Sequence, residues 1–169
     1  EQDATSMLRD ADIALYEAKG SGRDRVRTFG KELRQVVQGR VDLDRRLRAA
    51  LAVSELTVAY QPIIRLADST TVGFEALIRW PSADGNVEPD RFIPVAEETG
   101  QIFEIGDLVL RRTSALAASM NAGSSDWPRT GSVYAVNVSG LQLARRGFSA
   151  MVAQHLDETG LPGNALMVE

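Results

Sequence analysis

Glu75 sits in Thr71-Val-Gly-Phe-Glu-Ala-Leu-Ile-Arg-Trp80, a run otherwise built like a strand. Alternation assigns Phe74, Ala76, Ile78 and Trp80 to one face and Gly73, Glu75, Leu77 and Arg79 to the other. An ionised carboxylate within a buried strand costs several kcal/mol unless a cation or hydrogen-bond donors compensate it. A chain keeps such a residue mainly where charge is used, at a metal or in catalysis. Two further oxygen donors stand at comparable places. Asn137 lies near the end of a later strand-like run, on the parity of Val133 and Ala135, and Glu169 closes the last one. Two carboxylates and an amide carbonyl make a hard ligand set, suited to Mg²⁺ or Mn²⁺ rather than Zn²⁺. Taken singly, each has an ordinary explanation: a glutamate at a sheet edge reaching solvent, an asparagine before Ser139-Gly140 forming a turn. Arg79 could take a phosphate oxygen bidentately, or close the strand end with a salt bridge.

The elements that must position these groups follow from periodicity. Ala4 to Lys19 reads as a helix with Met7, Leu8, Ala11, Leu15 and Ala18 as its apolar positions, ended by Gly20 and Gly22. Phe29 to Val53 reads as a longer helix, interrupted by Gly39 at some cost in propensity. Its heptads are not sustained, which favours a connecting helix packed on one domain over a signal-transmitting helix paired with a second copy. Leu56 to Leu66 and Thr70 to Trp80 read as strands, and the short Ala67-Asp68-Ser69 link requires them to be antiparallel. Pro62 predicts an irregularity in the first. Pro81 to Glu88 reads as a loop, Asp90 to Glu98 as a short helix, and Ile102 to Met120 as a longer one with Ile105, Leu108, Val109 and Leu116 on one face. A polar loop at Asn121 to Gly131, a strand at Ser132 to Ser139, a helix at Phe148 to Thr159 and a strand at Ala165 to Glu169 complete the chain. In that last helix Phe148, Val152 and Leu156 point inward and Gly160 caps the end, while His155 falls on the polar side with no role. Glu97 and Glu98 are expected at a solvated helix end. This alternation predicts an α/β fold with a parallel sheet.

Composition narrows the function classes. A chain of 169 residues can bury one respectable core, and 44% hydrophobic with 25% charged residues is ordinary for a soluble protein. With no cysteine, a disulfide framework and a thiolate metal site are both excluded. A net charge of −4 argues against non-specific DNA or RNA binding. No apolar run approaches the roughly 18 residues of a membrane span, and the residues from Glu1 onward show no basic-then-apolar signal-peptide pattern, as expected of a chain that begins mid-domain. The expected location is cytoplasmic, in a parent protein that could carry a membrane anchor or sensor upstream of Glu1.

The blocks Tyr60-Gln-Pro-Ile-Ile64, Gly73-Phe-Glu-Ala-Leu-Ile-Arg-Trp80, Pro89-Asp-Arg-Phe-Ile-Pro-Val-Ala-Glu-Glu-Thr-Gly100, Val136-Asn-Val-Ser139 and Leu166-Met-Val-Glu169 follow in order. This ordered set resembles the EAL family of bacterial phosphodiesterases, which linearise cyclic di-GMP; the naming tripeptide stands at Glu75-Ala76-Leu77. Leu8 to Val26 resembles the closing helix and turn of a GGDEF diguanylate cyclase domain, without the loop that names that family. Lys19 and Arg23 match its phosphate-contacting basic positions and would be remnants. The resemblance implies three segments: 1–28 the end of a GGDEF domain, 29–53 a linker helix, and 54–169 the N-terminal half of an EAL domain. It also implies a partial TIM-like barrel whose first strand is antiparallel.

In such a barrel the C-terminal strand ends converge on one mouth. The family's pattern makes Glu75, Asn137 and Glu169 ligands of Mg²⁺ or Mn²⁺, with Glu75 also catalytic, and puts Gln61, Leu77 and Arg79 against substrate. The spacing from Asn137 to Glu169 agrees with the family's; that from Glu75 to Asn137 is slightly longer, with Gly123 to Arg129 able to absorb the excess. The implied partner is cyclic di-GMP, opened at one phosphodiester bond in bacterial signal transduction. The alternative is a degenerate EAL module acting as a receptor or interaction domain. A homodimer through the EAL domain or the linker helix is a further expectation. The family draws a paired aspartate, a lysine and another glutamate from strands later than residue 169, so this fragment alone is expected to be inactive.

Overall fold

The computed structural model describes residues 31–83, 85–122 and 132–169. The expected helix at Ala4 to Lys19, with Gly20, Gly22 and Arg23, lies outside the described residues, as does the 123–131 part of the expected polar loop. The chain falls into two compact units, Glu1–Arg46 and Leu47–Glu169. Helix α1 (Lys31–Ala52) begins in the first and ends in the second. Over the described range it agrees with the expected helix. Within the second unit, Leu47, Ala50 and Leu51 are buried at the i, i+3, i+4 spacing of one helix face.

Strands β1 (Thr57–Arg65) and β2 (Thr70–Ser82) pair antiparallel, as their short link requires. In the turn between them the Asp68 carboxylate accepts from the Thr70 amide at 3.1 Å and the Thr70 hydroxyl at 2.7 Å. Gln61 stands opposite Glu75, and the register slips between Ile63 and Ile64, one residue beyond Pro62. The guanidinium of Arg112 donates to the Leu56 carbonyl at 2.6 Å and so ties the start of β1 to a later helix.

The segment expected as a loop at Pro81 to Glu88 is instead largely a second hairpin. Strand β2 runs on to Ser82 and folds back through β3 (Gly85–Val87), pairing Trp80 with Val87 and Ser82 with Gly85. Gly85, at φ 109°, supplies a backbone conformation that residues with a Cβ rarely adopt, and Val87 is buried. Helix α2 (Pro89–Thr99) starts with proline at its first position, where the missing N–H costs nothing. Helix α3 (Ile102–Ala122) leads to β4 (Val133–Val136), then α4 (Gly140–Ala144), α5 (Phe148–Thr159), a 3₁₀ turn (Gly163–Ala165) and β5 (Leu166–Val168).

Strand order is β1-β2-β4-β5, with β3 beside β2. The β2–β4 and β4–β5 pairs are parallel, because the intervening helices return the chain to the same end each time. The result is a mixed α/β sheet, not closed, with an antiparallel first strand. Three strands are shorter than expected, β1 by one residue at each end, β4 and β5 by more of their expected length. Beyond Asn137 the chain turns into α4, too short a helix to leave a periodic signature, and Ala165 belongs to the 3₁₀ turn.

The helix side of the sheet is dry. Trp80 meets Phe92 of α2 edge to face, with centroids 5.6 Å apart, and Phe74 stacks on Tyr134 at 6.0 Å. Tyr134 is packed with Ala117, Leu161 and Ala165, and with Phe74, Met120 and Leu156 around them. Each large side chain so buried is worth about 1.5–3 kcal/mol. Gly73 lets β2 approach β4: a Cβ there would lie 2.1 Å from the Val133 carbonyl oxygen.

His155 does not lie on the polar side of its helix. It is buried, with Nε2 3.0 Å from Oδ1 of Asp107 on α3, because residues 148, 152, 155 and 159 share one helical stripe. Among the described residues no helix is long and apolar enough to cross a membrane.

Candidate metal and nucleotide site

The parallel register brings Glu75, within β2, beside the end of β4, where Asn137 follows. Glu75 pairs with Gln61 of β1 on one side and with Ala135 of β4 on the other. Two residues beyond Ala135, Asn137 projects on the same parity, and its Nδ2 donates to Glu75 Oε1 at 2.8 Å. The amide of Glu169 donates to the Val136 carbonyl at 3.0 Å, and the amide of Val138 donates to the Glu169 carbonyl at 2.8 Å. These two bonds carry the β4–β5 register one step past Val136–Val168, to Asn137 opposite Glu169. Strand alternation then puts Glu75, Asn137 and Glu169 on one face of three adjacent strands. Glu75 and Asn137 touch. The Glu169 carboxylate is exposed and makes no hydrogen bond to either among the described residues.

Glu75 is half-buried rather than sealed in the interior, so solvent and the Asn137 amide share the work of stabilising its charge. A cation that fits here must accept oxygen alone. Among the described residues there is no group of three or more histidine, cysteine, aspartate or glutamate side chains that could hold a metal. The side chains of Glu75, Asn137 and Glu169 offer carboxylate and amide oxygens, a donor chemistry that suits a hard divalent ion.

Beyond Glu75, residues Ala76, Leu77, Ile78 and Arg79, from both faces of β2, form one wall of a cleft of about 640 Å³. Asn137 borders it from β4; Ile93 and Glu97 of α2 and Ile105 of α3 contribute the apolar and acidic remainder. Gln61, Glu75 and Glu169 are not among its walls, so the cleft adjoins the carboxylates through Asn137 and Leu77. The Arg79 guanidinium is exposed and donates to the Ile78 carbonyl at 3.0 Å; no carboxylate among the described residues pairs with it. Among the described residues the salt bridge considered for the strand end is not formed.

Burial pushes the Tyr60 hydroxyl, next to Gln61, above its ordinary pKa, with the nearby Arg112 charge opposing, and burial alone does the same to Tyr134. Both hydroxyls stay protonated at neutral pH.

Two wall residues were not singled out from the sequence. Glu97 was expected in solvent, yet it is half-buried in the cleft. Its signal is the 90, 93, 94, 97 spacing, which sets it on one helical stripe with Asp90, Ile93 and Pro94. Gln142, on the short α4, also lines the cleft and left no periodic trace.

Residues 44–169 match the family model for the EAL domain. An uncharacterized signaling protein of Caulobacter vibrioides is 42% identical over 167 residues, covering 98% of this chain and 20% of that protein. The bifunctional diguanylate cyclase/cyclic di-GMP phosphodiesterase MucR of Pseudomonas aeruginosa is 33% identical over 165 residues, 96% of this chain and 23% of its own length. The solved PaMucR phosphodiesterase in complex with cyclic di-GMP aligns with a TM-score of 0.67 at 33% identity, over 75% of this chain and 50% of that one. The chain thus spans about a fifth of the length of each of these two relatives.

Proposed function

This chain belongs to the EAL domain family, and from that premise we propose that the protein containing it hydrolyses one phosphodiester bond of cyclic di-GMP, giving the linear dinucleotide. Residues 54–169 supply the first part of the catalytic domain, 29–53 a linker helix, and 1–28 the end of a cyclase domain. The observation that carries the reading is the 2.8 Å contact of Asn137 with Glu75, formed between residues far apart in sequence, Asn137 just past the end of β4 and Glu75 within β2.

Glu75, Asn137 and Glu169 would hold Mg²⁺ or Mn²⁺ through oxygen. The ion, when bound, supplies positive charge to a phosphate oxygen and lowers the pKa of a water. The protein's own groups do the rest. Leu77 offers an apolar wall to a guanine, Gln61 hydrogen-bonds at the β1 side, and Arg79 exchanges its weak contact with the Ile78 carbonyl for a charged phosphate oxygen. Positioning and fixed charge of this kind supply most of the acceleration in phosphoryl chemistry.

The deciding experiment is turnover of cyclic di-GMP by the complete protein, with and without Mg²⁺. Metal-dependent appearance of the linear product is the expected result. Tight binding of cyclic di-GMP without hydrolysis would replace the enzyme with a receptor, and neither binding nor turnover would end both readings.

A further inference from the structure

Gln142 is only 3% exposed although it belongs to a five-residue helix whose neighbours Leu141 and Leu143 face solvent. Its burial has a specific cause. Ser139 caps α4: the Ser139 hydroxyl accepts from the Gln142 amide at 3.3 Å, and Gln142 Oε1 accepts from the Ser139 amide at 3.0 Å. This reciprocal pair is a capping box. The nitrogen of the same side-chain amide lies against α3 at Gly106, where a Cβ would lie 1.7 Å from Nε2 and 2.9 Å from Cδ. Asn137 precedes the box by one intervening residue, Val138, whose amide is bonded to the Glu169 carbonyl. The turn after Asn137 is therefore held by β5 at Val138 and by α3 through Gln142.

We propose that Gln142 is a positioning residue for Asn137: seated in the space left by Gly106, it fixes the turn that holds the Asn137 amide against Glu75. The inference deepens the proposed cation site and rests on that reading. A methyl group at residue 106 has no room beside the Gln142 amide. The amide must shift, which disturbs its bond to the Ser139 N–H and weakens the support of the turn carrying Asn137 on the α3 side.

The test uses the complete protein with Gln142→Ala, Gly106→Ala, the double variant and Ser139→Ala. Three quantities are read: Mn²⁺ affinity by titration, melting temperature, and the Asn137–Glu75 contact in cation-free crystal structures. Gln142→Ala should weaken Mn²⁺ binding roughly tenfold, the scale on which groups supporting a metal ligand act, and lengthen the Asn137–Glu75 contact. Gly106→Ala should do the same alone but add nothing to Gln142→Ala, because truncation empties the space the new methyl needs. Ser139→Ala should give a milder version of both effects, and it decides the matter if Gln142→Ala fails to fold. A folded Gln142→Ala with a lowered melting temperature but wild-type Mn²⁺ affinity and an unmoved contact would overturn the proposal, leaving Gln142 a helix cap only. Fully additive losses in the double variant would overturn it as well. If the unaltered protein binds no Mn²⁺, the proposed function fails, and the cation-free contact still decides for or against Gln142.

Discussion

The two faces of one sheet are built to opposite ends. Toward the helices stand Ala76, Trp80, Tyr134 and Val136, all nearly sealed from water and touching aromatic or aliphatic neighbours. Toward the other side stand Gln61, Glu75, Leu77, Arg79, Asn137 and Glu169, half-buried or exposed, with Asn137 bonded to Glu75 between strands. A single residue step along β2 moves from one regime to the other, since Glu75 lies between Phe74 and Ala76. The difference teaches where stability and chemistry reside. The helix side contributes most of the apolar burial that holds the strands in register, and that register delivers the polar groups on the opposite side to one rim. Substitutions should therefore separate cleanly into those that unfold and those that disarm.

The largest effect is expected from Tyr134→Ala. The ring is fully buried between Phe74 and the α3 cluster, so its removal should cost about 3–5 kcal/mol, read by chemical denaturation. A loss below about 1 kcal/mol would show that the core tolerates a void and would break the contrast. Next comes Glu75→Gln in the complete protein. It should leave stability within about 0.5 kcal/mol while reducing metal-dependent turnover roughly a hundredfold or more. Unchanged turnover removes Glu75 from the cation site. Arg79→Ala is smaller and sharper: the half-saturating substrate concentration should rise roughly tenfold with Mn²⁺ affinity unaltered, and equal losses in both would show its role to be structural.

What the sequence disclosed divides along similar lines. The β1–β2 hairpin was legible because its signals are local: alternating residues, a turn built on Asp68, and a link too short for anything but antiparallel pairing. The parallel arrangement followed from strands spaced by helices, and Glu75 stood out because a carboxylate conflicts with a strand's apolar neighbours. The contact of Asn137 with Glu75 was not legible from their spacing, since it depends on how β4 is laid beside β2. His155 was misplaced for the same reason: a polar residue on an inward stripe looks like surface until its partner, Asp107, arrives from another helix. The β3 hairpin hides in a run dominated by Pro81 and Gly85, and α4 is shorter than the period that would announce it. The role of Gly73 is a distance between backbones, which no single strand encodes.

The smallest expected effect tests the solvated end of the comparison. The Asp68 carboxyl is held below its ordinary pKa of 3.8, first by the Thr70 hydroxyl, then by the Thr70 amide and by Arg65. A carboxyl whose pKa is lower folded than unfolded stabilises the fold above the unfolded value and loses that contribution as the pH falls through the folded one. The hairpin should thus be firmest near neutrality and weaken below the usual aspartate range. Asp68→Asn should lower the melting temperature only slightly at pH 7, because the group is fully exposed and salt screens it. The two melting curves should converge in acid, once Asp68 is protonated and the charge difference is gone. A gap that persists unchanged at low pH would mean that turn geometry around Ser69, at φ 57°, rather than the carboxylate's charge, sets the strength of this end of the sheet.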